Sequence, residues 1–211
     1  MPIDQPEATA AVNPRRTFLA RAAVGGALVT AGSIAGPLLR AVPAGAQADA
    51  SDTLDDSAFA AIAVPLELAA VQVYEAATEA SGLDEGATEQ LRLFQTHHQA
   101  VADTLSDYYT GDEPLTEHPA VMTRADSVRG DAKAAFTALA ELEQALAATH
   151  LDALGSIADP TTAKLVAGVL AVEGQQAVAL TLLAGTDVAA VLPAAVTTDD
   201  ALTTTTGEAG N

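Results

Sequence analysis

Four stretches of the sequence place polar side chains inside an apolar helical stripe, where a polar group is costly unless it finds a partner. In the first stretch the stripe members are three or four residues apart and therefore share one helix face. They are Leu91, Gln95, His98, Ala102 and Leu105. The stripe is apolar at both ends and polar in the middle, so something must meet the amide and the imidazole across the core.

The other three stretches show the same interruption. Glu67 stands in the apolar stripe of one segment, Glu143 in that of another, and Glu173 with Gln176 in that of the last. Buried carboxylates need cations, protons or hydrogen-bond donors between them. Carboxylates and imidazoles are also ligands suited to iron, manganese or zinc. The pattern therefore indicates a metal site inside a helical core.

A metal-free core is the alternative. An amide can donate a hydrogen bond to a buried carboxylate, so Gln95 and Gln176 could satisfy the three glutamates without metal. A lone buried histidine is usually a structural hydrogen-bonding residue, which applies to His97 and His150, and Tyr74 is more often a packing residue than a redox residue. Both interpretations stay open at this point.

The segments that must position these residues read as four long helices. Apolar residues recur at helical spacing, and no strand-like alternation interrupts them, which predicts an all-α fold: an antiparallel four-helix bundle. Pro65 should kink or split the first helix, and Asp159 followed by Pro160 should cap the last. A connection over 115–129, holding an exposed His118, should carry a short helical turn. The predicted helices are 57–80, 85–109, 131–154 and 160–184.

The N-terminus has the features of a targeting segment. Arg15 and Arg16 precede a weakly apolar stretch over 22–39, and Ala46-Gln47-Ala48 supplies small residues for a signal peptidase. This segment resembles a twin-arginine signal, which directs folded proteins to export. A retained membrane anchor is the alternative, since the apolar run can barely span a bilayer, but export with cleavage after Ala48 is favoured.

The predicted organisation is a signal peptide over 1–48, a helical bundle over 49–185, and a polar, Thr-rich and disordered tail over 186–211. The chain of 211 residues contains no cysteine, which excludes disulfides and thiol chemistry. Its net charge of −19 argues against nucleic acid and, after cleavage, against a membrane as partners. The translocation machinery is the expected partner, with the periplasm, cell envelope or extracellular space as destination; the oligomeric state is not predicted.

Taken in order, the interrupted stripes resemble the ferritin-like di-iron carboxylate proteins, and in particular bacterial members exported by the twin-arginine pathway. The resemblance covers residues 57–184 and the signal. That family places a glutamate on each of two helices and Glu-x-x-His on each of the other two. The matching stretches are 66–77, 94–98, 142–143 and 172–176.

Two positions depart from the family pattern. Gln95 replaces the glutamate of one Glu-x-x-His motif, and Gln176 replaces the histidine of the other. Because amides bind transition metals poorly, these two are second-choice ligands or hydrogen-bond fillers, with His97 as a substitute. The resemblance implies that the main metal ligands are Glu67, His98, Glu143 and Glu173.

The expected function is the binding of one or two iron or manganese ions in the bundle core, with redox activity as an extension; no catalytic residue is assigned. The alternative is a metal-free, non-enzymatic envelope scaffold or interaction protein with a degenerate site. Nothing in the sequence specifies the assembly of a cage, so iron storage is not expected.

Overall fold

The computed structural model describes residues 53–187, 198 and 201–202. Within these residues the chain forms helices and no named strand, which confirms the all-α prediction. A 3₁₀ turn, Thr123–Asp126, follows the short third helix. The helices are α1 (Asp56–Ala77), α2 (Glu85–Ser106), α3 (Pro119–Met122), α4 (Ala132–Leu154) and α5 (Pro160–Leu183).

Each of the four long helices begins at an aspartate. The side chains of these residues accept hydrogen bonds from backbone N–H groups of the first turn, at 2.7 to 2.9 Å. A carboxylate at this position satisfies orphan donors and interacts favourably with the helix dipole. The prediction for Asp159 is confirmed. The four caps are Asp55, Asp84, Asp131 and Asp159.

Backbone pairings at the two ends of α1 define the directions of the helices. Ser81, just after α1, exchanges hydrogen bonds with the chain that enters α4: its N–H donates to Gly130 and its carbonyl accepts from Ala132. At the other end, Leu54 pairs in the same way with Ser156 and Ala158, which follow α4. Helix α4 therefore starts where α1 ends, as expected for an antiparallel bundle with one long crossover.

The crossover lies along α1. The backbone N–H of His118 donates to the carbonyl of Pro65 at 2.8 Å, and the side chain of His118 is half-buried. The prediction of an exposed His118 is therefore wrong, because the connection packs on the bundle rather than looping into solvent. Pro65 does not split α1, which continues from Asp56 to Ala77.

Helix α5 buries less of its surface than α1. Both helices are long and apolar enough to cross a membrane by length and composition alone. Within that apolar window, 61% of α1 is buried but only 33% of α5, so α1 has the character of a core helix. Three large apolar side chains of α5 are exposed: Val178, Leu182 and Leu183.

The predicted signal peptide, 1–48, and most of the predicted tail, 186–211, lie outside the described residues. One described part of the tail contacts the bundle: the N–H of Leu202 donates to the hydroxyl of Thr149 at 2.8 Å, and the half-buried Leu202 side chain packs against the core. The predicted cleavage at Ala48 and the predicted disorder of the tail stay predictions.

Candidate metal centre

All four long helices contribute side chains to one buried polar cluster in the middle of the bundle. None of these side chains is more than 2% exposed. Glu143 and His150, seven residues apart on α4, lie on the same helix face two turns from each other. The members are Glu67 on α1, His98 on α2, Glu143 and His150 on α4, and Glu173 on α5.

His98 bridges two carboxylates. Its Nδ1 lies 2.7 Å from Oε2 of Glu67 and its Nε2 lies 2.9 Å from Oε1 of Glu143. A neutral imidazole carries one N–H, whereas the cationic form carries two and can donate to both carboxylates. The Tyr74 hydroxyl donates to the same Oε1 of Glu143. Both ring nitrogens of His98 therefore have a carboxylate partner.

The other half contains polar atoms without partners. Nδ1 of His150 lies 2.9 Å from Oε2 of Glu173, whereas its Nε2 lies 3.5 Å from Oε1 of Glu67, too far for a good hydrogen bond. That Nε2, that Oε1 and Oε1 of Glu173 are buried and have no hydrogen-bond partner. Glu67, His150 and Glu173 each offer a ligand atom, and these atoms lie within 4.8 Å of one another. A cation between them would satisfy these atoms.

Burial and charge act against each other at the two imidazoles. Burial lowers the pKa of His98, but Glu143 and Glu67 raise it more, so the pKa is well above its usual value. For His150, Glu173 and Glu67 likewise outweigh burial and raise the pKa to about 9. The neighbouring carboxylates therefore favour the cationic form of both imidazoles when no metal is bound.

Two acidic groups in the cluster hold their protons more tightly than usual. Burial raises the pKa of Glu173 to about 7 in spite of the opposing effect of His150. Burial and the nearby Glu143 raise the pKa of Tyr74 well above its usual 10. A metal ion that binds here must displace protons from its ligands, so metal and protons compete for this cluster.

The structure brings together the four residues that the sequence singled out as main ligands, and separates them from the other three candidates. His97, on α2, contacts α5: its Nδ1 accepts a hydrogen bond from the side-chain amide of Gln176 at 3.0 Å. The amide of Gln95 donates to the backbone carbonyl of Val71 at 3.2 Å. Among the described residues, the hydrogen-bond donors to the cluster carboxylates are therefore His98, His150 and Tyr74, not the two amides.

His150 is the member of the cluster that the sequence-based ligand set lacked. Its position two turns after Glu143 on an apolar seam was a usable signal, because residues seven apart share a helix face. Treating it as a structural histidine was correct for its hydrogen bond to Glu173 but missed its Nε2, which points toward Glu67. Tyr74 also contacts the cluster, through Glu143, rather than serving only in packing.

Comparisons with known proteins agree with the fold and say little about the site. A family model described as a ferritin-like domain matches residues 55–186, more than half of the chain. No curated protein and no solved structure matches the chain. The matched range contains all four long helices and the whole polar cluster.

Proposed function

The chain belongs to the ferritin-like domain family, and from that premise we propose that its bundle core binds one transition-metal ion. The observation that carries the proposal is the group of three buried ligand atoms, from Glu67, His150 and Glu173, within 4.8 Å of one another. None of these three residues has all of its polar atoms hydrogen-bonded. A buried polar atom without a partner costs about 1–3 kcal/mol, and an ion would remove that cost.

The donor set fits such an ion. Two carboxylates and an imidazole suit iron, manganese or zinc, and bound iron or manganese would supply one-electron redox chemistry. Relative to the family pattern, His150 stands in for the imidazole lost at Gln176. We propose Glu67, His150 and Glu173 as the ligands, with Glu143, whose Oε2 also lacks a partner, as a fourth group within the cluster.

His98 and Tyr74 would position the ligands. His98 holds Oε2 of Glu67 at 2.7 Å, which leaves Oε1 of the same carboxylate directed toward His150. The Tyr74 hydroxyl donates to Glu143. This bond would fix the Glu143 carboxylate, which lies at the opposite ring nitrogen of His98 from Glu67. Hydrogen bonds of this kind orient metal ligands and tune their basicity. The proposed centre thus contains one ion, with His98 between Glu67 and Glu143.

The second candidate function is a metal-free scaffold or interaction protein. It is supported by the ion pairs themselves, since the two imidazoles lie against the carboxylates at 2.7 to 2.9 Å. Cationic imidazoles can balance most of the buried negative charge without a metal. The two functions differ in whether metal stabilises the fold.

A titration of metal-free mature protein, residues 49–211, with Fe(II), Mn(II) and Zn(II) tests the proposal. At a free metal concentration of 100 times Kd, the fold should gain about 2.7 kcal/mol by mass action. We expect a raised Tm and one bound ion per chain by equilibrium dialysis. Glu173→Gln should abolish both effects, because glutamine keeps the volume but is a poor ligand.

Glu141→Gln is the matched control, because Glu141 is an exposed glutamate on α4 and its loss should leave metal binding unchanged. If no metal binds or shifts the Tm, the metal-free scaffold is the better description. If the shift survives Glu173→Gln, the metal binds elsewhere, on the acidic surface.

Export by the twin-arginine route is a further proposal, supported by Arg15 and Arg16 in the sequence. Replacing both by lysine should leave the full-length precursor inside the cell and remove mature protein from the envelope and medium, as followed by immunoblot of cell fractions. The control is the double replacement Arg21→Lys and Arg40→Lys, which should permit normal export. Mature protein at normal levels outside the cell in the first variant would contradict this route.

A further inference from the structure

A hydrogen bond between side chains of α2 and α5, here called the link, lies next to the buried cluster. Gln176 on α5 donates to Nδ1 of His97 on α2 at 3.0 Å. Gln176 is 3% exposed and His97 is half-buried, so the link reaches from the interior toward solvent. Gln176 lies one turn after Glu173 on the same helix, and His97 is adjacent to His98. The link therefore lies next to two cluster residues, Glu173 and His98, and is partly accessible to solvent at His97.

The neighbouring long helices do not all pack equally closely. Helices α1 and α2 pack closely, as do α4 and α5, whereas α2 and α5 contact each other least among the neighbouring long helices. The crossover packs along α1, where the backbone N–H of His118 donates to the carbonyl of Pro65, two residues before Glu67. Between α1 and α2 the polar side chain, Gln95, is held by the backbone of Val71.

We propose that the link between His97 and Gln176 is the opening through which a divalent cation enters and leaves the cluster. This inference rests on the proposed metal-binding function. A cation that crosses an apolar layer must lose its water without replacement, at a large cost. The imidazole and amide can replace those waters in turn, and opening one hydrogen bond between neutral groups costs only about 1 kcal/mol.

The amide at position 176 suits an opening better than a ligand would. An imidazole beside Glu173 would bind the ion strongly, whereas an amide binds transition metals weakly and releases them. The same substitution that removes a ligand of the family pattern thus leaves a polar, weakly binding group between solvent and the cluster. An opening changes rates of entry and release together, while a ligand changes the equilibrium affinity.

The test uses Co(II) as a probe, mixed with metal-free mature protein in a stopped-flow instrument, with release followed after addition of excess chelator. Gln176→Leu replaces the amide by an apolar side chain of similar size, which should block the proposed opening. Both entry and release should slow about tenfold, a barrier change of about 1.4 kcal/mol. Gln176→Ala removes the link and should speed both. The equilibrium Kd for Co(II) should stay within about twofold in each, because equal changes in the two rates cancel.

Gln95→Leu is the matched control, because it removes a partly buried amide that lies on the side of α2 facing α1, and should leave both rates unchanged. His97→Leu repeats the closure from the other helix if a Gln176 variant does not fold. Unchanged rates in the folded variants overturn the inference but leave metal binding intact. A weakened Kd with an unchanged entry rate makes Gln176 a ligand and also overturns it. Failure of the unaltered protein to bind Co(II) or any other metal overturns the proposed function, and the opening with it.

Discussion

Replacing His98 by leucine should destabilise the metal-free protein by about 3–5 kcal/mol, the usual effect of removing one partner from a buried ion pair. His98 contacts both Glu67 and Glu143 at hydrogen-bond distance and is 2% exposed. Its loss leaves two buried carboxylates facing an apolar side chain. Urea unfolding of the metal-free variant, followed by circular dichroism, measures the change.

The neighbouring residue provides the control. His97→Leu removes a half-buried imidazole that accepts a hydrogen bond from the neutral amide of Gln176, so the loss of stability should be only about 1 kcal/mol. Lowering the pH should recover part of the stability of the His98 variant, because the stranded carboxylates can then take up protons. Equal losses in the two variants would contradict the assignment of His98 as the bridge of the cluster.

The metal-free protein should lose stability as the pH rises through the neutral range. The pKa of His150 is 6.5 for the free side chain and about 9 in the fold, so its stabilisation is complete below pH 6.5 and lost by about pH 9. This group alone accounts for about 3 kcal/mol. The raised pKa of His98 acts in the same direction.

Glu173 adds to the same slope at lower pH. Its pKa is raised from 4.5 to about 7, so the folded state holds this proton more tightly than the unfolded state. Its contribution is therefore complete below pH 4.5 and lost as the pH approaches 7. The free energy of unfolding should fall from the acidic side toward pH 9, which urea titrations at pH 5, 6, 7, 8 and 9 would measure.

His150→Gln should flatten the slope between pH 6.5 and 9, since it removes the titrating imidazole while a polar side chain remains. His118→Gln is the control: burial lowers the pKa of His118, the residue lies on the crossover, and its replacement should leave the slope in this range unchanged. Stability that rises from pH 7 to 9 in the unaltered, metal-free protein would contradict cationic imidazoles in the core.

The sequence alone determined the four long helices, because their signals are local. An aspartate followed by a proline begins α5 as predicted, and Gly185 ends it with a positive φ of 83°. Spacing of apolar residues likewise identified the seams that carry Glu67, His98, Glu143 and Glu173. The ends were less certain: α2 stops at Ser106 instead of at 109, since fraying of a last turn depends on contacts outside the helix.

Only the tertiary structure decided which polar groups meet. His97 and His98 are neighbours in sequence, but adjacent residues on a helix point about 100° apart, so at most one can face the centre of the bundle. The rotation of α2 about its axis, which packing against α1 decides, buries His98 and leaves His97 at the edge.

The same holds for the partners of the carboxylates. Composition and spacing supplied amides, imidazoles and a phenol as candidate donors, and any of them could satisfy a buried glutamate. The position of α4 along the bundle axis relative to α5 places His150 against Glu173, at 2.9 Å. Gln176 does not take that place. Such distances between helices depend on the packing of many side chains at once, so the residue pattern within one helix does not specify them.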